Sequence, residues 1–186
     1  NLDYFVYLLK KVHKKTYVLL GNSDVLASNG IDKKYYFKKI RKAVFNHPKN
    51  PNYVFKSKDC VFITMDGSKQ YFQSSNGYYG NQELLWLSKE LEKYKNKNVV
   101  ILQHFPLMPT KSKWAETSKP EEYIALLKKY KNVRVIVSGH YGNDFETKAG
   151  GIYHIITESY SKNSAYKVIE LDFSKDYIAT YLVKWK

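Results

Sequence analysis

Short apolar runs alternate with polar stretches along the chain, and their spacing predicts its elements. Continuous β-branched or apolar runs predict strands buried on both faces, at 16–20, 53–56, 60–65, 99–102, 133–137, 152–156, 165–171 and 177–183, the last two as a hairpin. Apolar residues at helical spacing predict helices over 2–12, 33–44, 84–91 and 120–130. Because buried strands need cover on both faces, this order predicts an α/β fold in which a mixed pair of sheets is flanked by helices.

Three of the predicted strands end in short polar pieces. Gly21–Asp24, Gln103-His104 and Ser138–His140 each follow directly after an apolar run. In open α/β sheets, ligands gather beyond the carboxyl ends of such strands. An amide oxygen from Asn22 and the imidazoles of His104 and His140 could therefore converge on one metal ion or one anion.

Length and composition fit a globular chain with a sizeable core. The chain has 186 residues, of which 44% are hydrophobic, and no apolar run reaches the ~18 residues that a membrane span needs. A single cysteine, Cys60, excludes an internal disulfide framework, and its position in a predicted strand indicates a small buried hydrophobe. No leader peptide is visible, but the chain begins at Asn1 rather than Met, so a lost N-terminus could have carried one and the compartment stays undetermined.

The chain is strongly basic. The net charge is +14, from 31 Lys and Arg against 17 Asp and Glu, yet Arg41 and Arg134 are the only arginines. A basic face raises the local concentration of anionic ligands. Specific readers of nucleic acid favour the bidentate fork of arginine. The basic face would fit phosphate-bearing substrates, small or nucleotide-like, nucleic acid, or no specific ligand, and its lysine-rich character leads us to expect no specific nucleic-acid partner.

The order of strands, polar motifs and helices resembles the calcineurin-like metallophosphoesterase family over essentially the whole chain. Gly21-Asn22-Ser23-Asp24 is similar to the Gly-Asn-His-Asp signature of that family, and Val99–Pro106 to its strand that ends in a metal-binding histidine. Val135–His140 resembles the first half of its Gly-His-x-His motif. Gln82–Leu87 and Gly150–Ile155 resemble the helix and the strand that accompany these motifs. The resemblance implies a layered α/β/β/α sandwich forming a single domain over 1–186.

The chain departs from the family pattern at three places. The family carries Asp-x-His and Gly-Asp-x-x-Asp motifs upstream, and the 21 residues before Asn22 contain neither. We therefore expect that this chain is the C-terminal portion of the fold, completed by a missing segment or a partner chain. Ser23 replaces the signature histidine, and Gly142 replaces the second histidine of Gly-His-x-His. Asn143 or Asp144 could take its place.

The resemblance also implies a site. It assigns metal-ligand positions to Asn22, His104 and His140, divalent Mn, Fe or Zn as the cofactor, and a catalytic position to Asp24, the acid that in the family orients the replaced histidine. Two function hypotheses follow. One is a metal-dependent phosphoesterase for mono- or diesters, impaired by its substitutions. The other is a catalytically degenerate member that acts as a binding or scaffold module. The remaining histidines, His13, His47 and His154, are interpreted as surface or structural residues.

Overall fold

The computed structural model describes residues 2–108 and 116–185, so the predicted loop at Pro109 and Trp114 lies outside the described residues. Its elements in chain order are α1 (Leu2–Leu9), a 3-10 helix (Ala27–Asn29), α2 (Lys33–Ile40), β1 (Tyr53–Ser57), β2 (Cys60–Met65), α3 (Asn81–Lys93), β3 (Asn98–Gln103), α4 (Glu121–Leu127), β4 (Val133–Gly142), β5 (Phe145–Ala149), β6 (Ile152–Glu158), α5 (Tyr160–Asn163), β7 (Ala165–Asp172) and β8 (Tyr177–Lys184).

The strands form two sheets. Six strands pair in the order β1-β2-β3-β4-β6-β5, with β2, β3, β4 and β6 parallel and the two edge strands antiparallel to their neighbours. β7 and β8 form the predicted hairpin as a separate two-stranded sheet. The predicted α/β fold with a mixed pair of sheets is confirmed.

Both faces of the large sheet are covered, which explains the continuous apolar run of β3. Val99 and Ile101 belong to a core shared with Leu87 of α3 and Tyr123 of α4. Val100 lies on the opposite face, in a smaller cluster against which side chains of the hairpin pack, namely Ile169, Leu171 and Ile178. A strand with both faces in apolar surroundings has no position for an exposed polar residue.

A third core cluster joins α1 and α2 to the segment between them, and it corrects one prediction. Residues 16–20 do not form a strand, although Val18 and Leu20 are buried in this cluster. The backbone nitrogen of Val18 donates to His47 Nε2 at 3.0 Å, and its carbonyl accepts from the Tyr53 hydroxyl at 3.0 Å. Two side chains thus satisfy the backbone of Val18 where a neighbouring strand would otherwise do so.

Several boundaries also differ from the predictions. The first two helices end at Leu9 and Ile40, earlier than expected, whereas β4 continues past residue 137 to Gly142. β5 was not predicted, because Phe145–Ala149 is an exposed, mostly polar edge strand without a buried face. Within the described residues, no helix is long and apolar enough to cross a membrane.

Candidate functional site

Asn22, His104 and His140 meet at the carboxyl end of the large sheet. His104 Nε2 lies 3.2 Å from Asn22 Oδ1 and 3.0 Å from His140 Nδ1. His104 directly follows β3, and His140 lies near the end of the adjacent parallel strand β4. The convergence expected from the strand ends is therefore observed, and we call these three residues the histidine centre.

A bulge in β4 directs His140 into the centre. The register of β4 against β6 shifts between Ser138 and Gly142, and within this interval His140 has a left-handed backbone with φ of 61°. Such a φ is uncommon for a residue with a Cβ, and bulges characteristically re-aim side chains near functional sites. The backbone nitrogen of Gly139 donates to the His104 carbonyl at 3.0 Å, so the two strand ends are also tied together.

Hydrogen bonds define the protonation of the two rings. His140 Nε2 lies 2.6 Å from the Ser75 carbonyl, which can only accept, so this nitrogen carries a proton, and in the neutral ring Nδ1 is then the acceptor. His104 Nε2 then carries a proton that it donates toward His140 Nδ1 and Asn22 Oδ1. Burial, with a smaller contribution from the neighbouring His140, lowers the pKa of His104 to about 4. His104 is therefore neutral near pH 7.

Asp24 and His104 both lie beside Gly21. Its Oδ2 accepts a hydrogen bond from the Gly21 nitrogen at 2.6 Å. A Cβ built on Gly21 would lie 3.0 Å from His104 Cε1 and 3.2 Å from Asp24 Oδ2, so the close approach favours glycine there. The residue as a whole is exposed, yet desolvation of the carboxylate raises the pKa of Asp24 against the opposing effect of that hydrogen bond.

A family profile described as calcineurin-like phosphoesterase matches residues 1–143. This chain belongs to the calcineurin-like phosphoesterase family. A comparison with curated proteins finds no match. The family membership agrees with the resemblance carried by the motifs around Asn22, His104 and His140.

Solved structures support the fold. A dimetal phosphatase from Danio rerio superposes with a TM-score of 0.60 at 17% identity, over 72% of this chain and 58% of that one. GAP50, the anchor in the inner membrane complex of Plasmodium, gives 0.57 at 18% identity over 99% and 78% of the two chains. A putative 5'-nucleotidase from Staphylococcus aureus gives 0.53 at 12% identity over 98% and 39%. At these identities the likeness concerns the fold alone, and the chain spans only 58% of the length of the Danio rerio phosphatase.

The histidine centre of this phosphoesterase-family chain offers three possible donors to one metal ion. Ligand atoms about 2.0–2.2 Å from one ion lie roughly 3 Å apart, which matches the separations of 3.0 and 3.2 Å within the histidine centre. Facing an ion, His104 would carry its proton on Nδ1 instead of Nε2. Within residues 2–108 and 116–185, no group of three or more His, Cys, Asp or Glu side chains could hold a metal. The described residues therefore provide an amide and two imidazoles, without the bridging carboxylate that a two-metal site uses.

Asp144, one of the two possible substitutes for the histidine that Gly142 replaces, is engaged elsewhere. Asp144 forms an ion pair with Lys167 of β7, and Glu146 pairs with the same lysine at 2.5 Å. The Lys167 side chain is almost fully buried. Asp144 thus fastens the hairpin to the region that follows the β4 bulge.

Sequence reasoning missed Ser75, whose carbonyl fixes the His140 ring. Ser75 lies in the polar loop between β2 and α3, and a backbone carbonyl leaves no trace in a side-chain motif. The other histidines occupy different surroundings: His13 is exposed, whereas His47 and His154 are buried.

Proposed function

We propose that this chain is a metal-dependent phosphoesterase of low activity that hydrolyses phosphate mono- or diesters at the histidine centre. The observation that carries the proposal is the position of His104 Nε2 at the carboxyl end of the sheet, 3.2 Å from Asn22 Oδ1 and 3.0 Å from His140 Nδ1. Asn22, His104 and His140 would hold one divalent Mn, Fe or Zn ion, since such ions accept imidazole and amide oxygen together.

The residues of the chain prepare this site in three ways. The bond from Gly139 to the His104 carbonyl and the bond from His140 to Ser75 hold both rings in place. The depressed pKa of His104 keeps its ring neutral, which is the form that binds a metal. A net charge of +14 favours the approach of an anionic phosphoester. A bound divalent ion would supply polarisation of the phosphoryl oxygens and a more acidic water.

The low activity follows from two features of the described residues. Ser23 stands where the family signature has a histidine, and a hydroxyl is too weak an acid to protonate a leaving group near neutral pH. General acid catalysis typically contributes 10²–10⁴-fold, so its loss alone makes turnover slow. The missing bridging carboxylate weakens the hold on the metal further.

The test is release of p-nitrophenol from mono- and bis-substituted phosphates with Mn²⁺ or Zn²⁺. Slow turnover that disappears in His104→Ala and persists in His13→Ala, which removes an exposed histidine, supports the proposal. Ser23→His is expected to raise turnover at least about tenfold. This single change is preferable to one at Gly142, whose φ of 77° would strain any side chain. Turnover that is unaffected by His104→Ala contradicts the proposal.

The second candidate is a binding or scaffold module with a degenerate site. It is favoured by the lack, among the described residues, of any cluster of His, Cys, Asp or Glu able to hold a metal. GAP50, which has a similar fold, is described as the anchor in the inner membrane complex of Plasmodium. Calorimetry separates the two candidates. No Mn²⁺ or Zn²⁺ binding, together with no turnover in the wild type and in Ser23→His, would favour the module.

A further inference from the structure

The side chain of Phe105 packs against both imidazoles of the histidine centre. Its ring centroid lies 4.9 Å from that of His104 and 4.7 Å from that of His140, and the two imidazole centroids are 4.8 Å apart. Phe105 is fully buried. Three rings at these separations are in mutual contact, so a turn of either imidazole changes its contact with the phenyl ring.

The orientation of a histidine ring depends on its neighbours. The torsion that turns the ring about the bond to Cβ has broad preferences, so the backbone alone does not fix it. His140 bonds from Nε2 to the Ser75 carbonyl at 2.6 Å, whereas His104 Nε2 faces the side chains of Asn22 and His140. Side-chain partners can turn together with the ring. Phe105 is a buried neighbour that both rings share.

Gly77, in the loop between β2 and α3, also packs against the Phe105 side chain. A Cβ built on Gly77 would lie 2.3 Å from Phe105 Cγ and Cδ2 and 2.6 Å from Phe105 Cβ. The φ of Gly77 is not in the left-handed region, so the close approach of the ring favours glycine here and the backbone conformation does not. Because the Phe105 Cβ itself would be too close, rotation of the phenyl ring alone could not make room for an alanine.

Hydrogen bonds hold the backbone around this contact. The Gly77 nitrogen donates to the Glu116 carbonyl at 3.1 Å, and the Gly77 carbonyl accepts from the Ser118 nitrogen at 2.7 Å. Thr117 donates from its nitrogen and from its hydroxyl to the Pro106 carbonyl, at 3.0 and 2.9 Å. The two chain segments that form the contact are therefore anchored to one another.

We propose that Phe105 is a positioning residue that orients the imidazoles of His104 and His140 and links them to the loop of Ser75 and Gly77. Its consequence for metal binding rests on the proposed function, in which both imidazoles bind one ion. Phe105 offers no donor to an ion, so it acts through the two rings. A neighbour that fixes the orientation of a ligand ring before the metal arrives increases the affinity of the site.

The first test compares Phe105→Leu with Tyr79→Leu in the full chain. Both changes replace a buried aromatic ring by leucine, but the Tyr79 ring packs against Tyr123, with centroids 5.0 Å apart, in the core shared with α3 and α4. Calorimetric titration with Mn²⁺ or Zn²⁺ should show binding at least about tenfold weaker in Phe105→Leu, because loss of a group that orients a ligand typically costs about 10–100-fold. Tyr79→Leu should bind within about twofold of wild type.

Two glycines of the same loop provide a comparison in which no ring is removed. Gly77→Ala would push against Phe105, whereas Gly67→Ala would bring a Cβ to 2.8 Å from Tyr79 Cζ. Both changes should lower stability in urea unfolding. Gly77→Ala should also weaken metal binding at least about tenfold, and Gly67→Ala should leave it unchanged.

NMR of the metal-free chain distinguishes this inference from the proposed function. In wild type at about pH 8, where imidazole is neutral, the ring nitrogens of His140 should show one tautomer, protonated on Nε2, because the ring is held against the Ser75 carbonyl. Phe105→Leu and Gly77→Ala should show a mixture of both tautomers, and the two control variants should not.

The outcomes separate the two proposals. A wild type that binds no metal, together with the tautomer change in Phe105→Leu and Gly77→Ala, would reject the proposed function and support the positioning role of Phe105. An unchanged tautomer in these two variants would overturn the inference even where metal affinity falls. Equal changes in the control variants would also overturn it, because they would assign the effect to a general loosening of the core.

Discussion

Two histidines of this chain, His47 and His104, both lie away from bulk water but are used in different ways. His47 is buried, and both of its ring nitrogens bond to the backbone: Nε2 accepts from the Val18 nitrogen, and Nδ1 donates to the Pro48 carbonyl, each at 3.0 Å. His104 is half-buried, and its Nε2 faces the side chains of Asn22 and His140. Backbone partners are fixed, whereas side-chain partners can turn toward a ligand.

The difference shows which observation identifies a candidate site. Burial lowers the pKa of His47 and of His104 alike, so a depressed pKa does not separate a structural histidine from a site histidine. The partners of the ring nitrogens do separate them. His47 links the segment after α1 to the turn before β1 through hydrogen bonds to the backbone. His104 instead contacts the side chains of Asn22 and His140, and each of these three residues lies in a polar motif that follows an apolar run.

The largest expected effect is on stability at His47. His47→Ala should lower the free energy of unfolding by about 3 kcal/mol, because it leaves the buried Val18 nitrogen without its acceptor and removes a ring packed against Phe37 and Tyr53. His104→Ala should cost less than about 1 kcal/mol, since its ring is half-buried and contacts other adaptable side chains. Urea unfolding measures both. Equal losses of stability in the two variants would show that His104 has the same structural role as His47.

Gln103 directly precedes His104 at the end of β3, so the two residues allow a structural role and a site role to be compared at one place in the fold. Its side chain is buried, with Nε2 donating to the Phe105 carbonyl at 2.6 Å and Oε1 accepting from the Tyr123 hydroxyl at 3.0 Å. Gln103→Ala should cost about 2 kcal/mol, because two buried polar groups lose their partners. Tyr123→Phe, which removes one of these bonds without a cavity, should cost about half as much. A Gln103→Ala variant as stable as wild type would contradict a structural role.

A third histidine, His154 on β6, tests the effect of burial by itself. Burial lowers the pKa of His154 to about 4, whereas the unfolded chain titrates near 6.5. The unfolded state therefore binds more protons between these values, so stability is complete above about pH 6.5 and falls as the pH drops toward 4. The difference between 6.5 and about 4 corresponds to about 3 kcal/mol, of which solvent screening is expected to leave a loss of about 1.5 kcal/mol from this residue. In His154→Gln the slope of stability against pH in this window should flatten, and an unchanged slope would assign the effect to other groups.

The sequence allowed correct predictions where the local structure depends on a residue and its near neighbours in the chain. The apolar runs of β3 and β4 and the polar residues behind them were enough to predict the sheet and the meeting of Asn22, His104 and His140. The prediction of a strand at 16–20 was wrong, because burial against helices and pairing in a sheet favour the same apolar residues. The bulge at His140 and the carbonyl of Ser75 depend on backbone geometry set by distant segments, which no local pattern encodes.

The smallest expected effect has the opposite sign and concerns His140. Its left-handed backbone, with φ of 61°, costs a residue with a Cβ roughly 1 kcal/mol that glycine does not incur. His140→Gly relieves this strain but loses the bonds to Ser75 and His104, so it should raise the free energy of unfolding by at most about 0.5 kcal/mol, while it removes one donor of the proposed metal site. Gly142→Ala provides the control, because φ is 77° at this position of the same bulge, and it should destabilise by about 1 kcal/mol. Urea unfolding and calorimetric titration with Mn²⁺ measure the two properties separately. A His140→Gly variant that loses more than about 1 kcal/mol would place His140 with His47 as a structural residue, whereas a gain in stability together with weaker metal binding would mean that the strain is retained for the site.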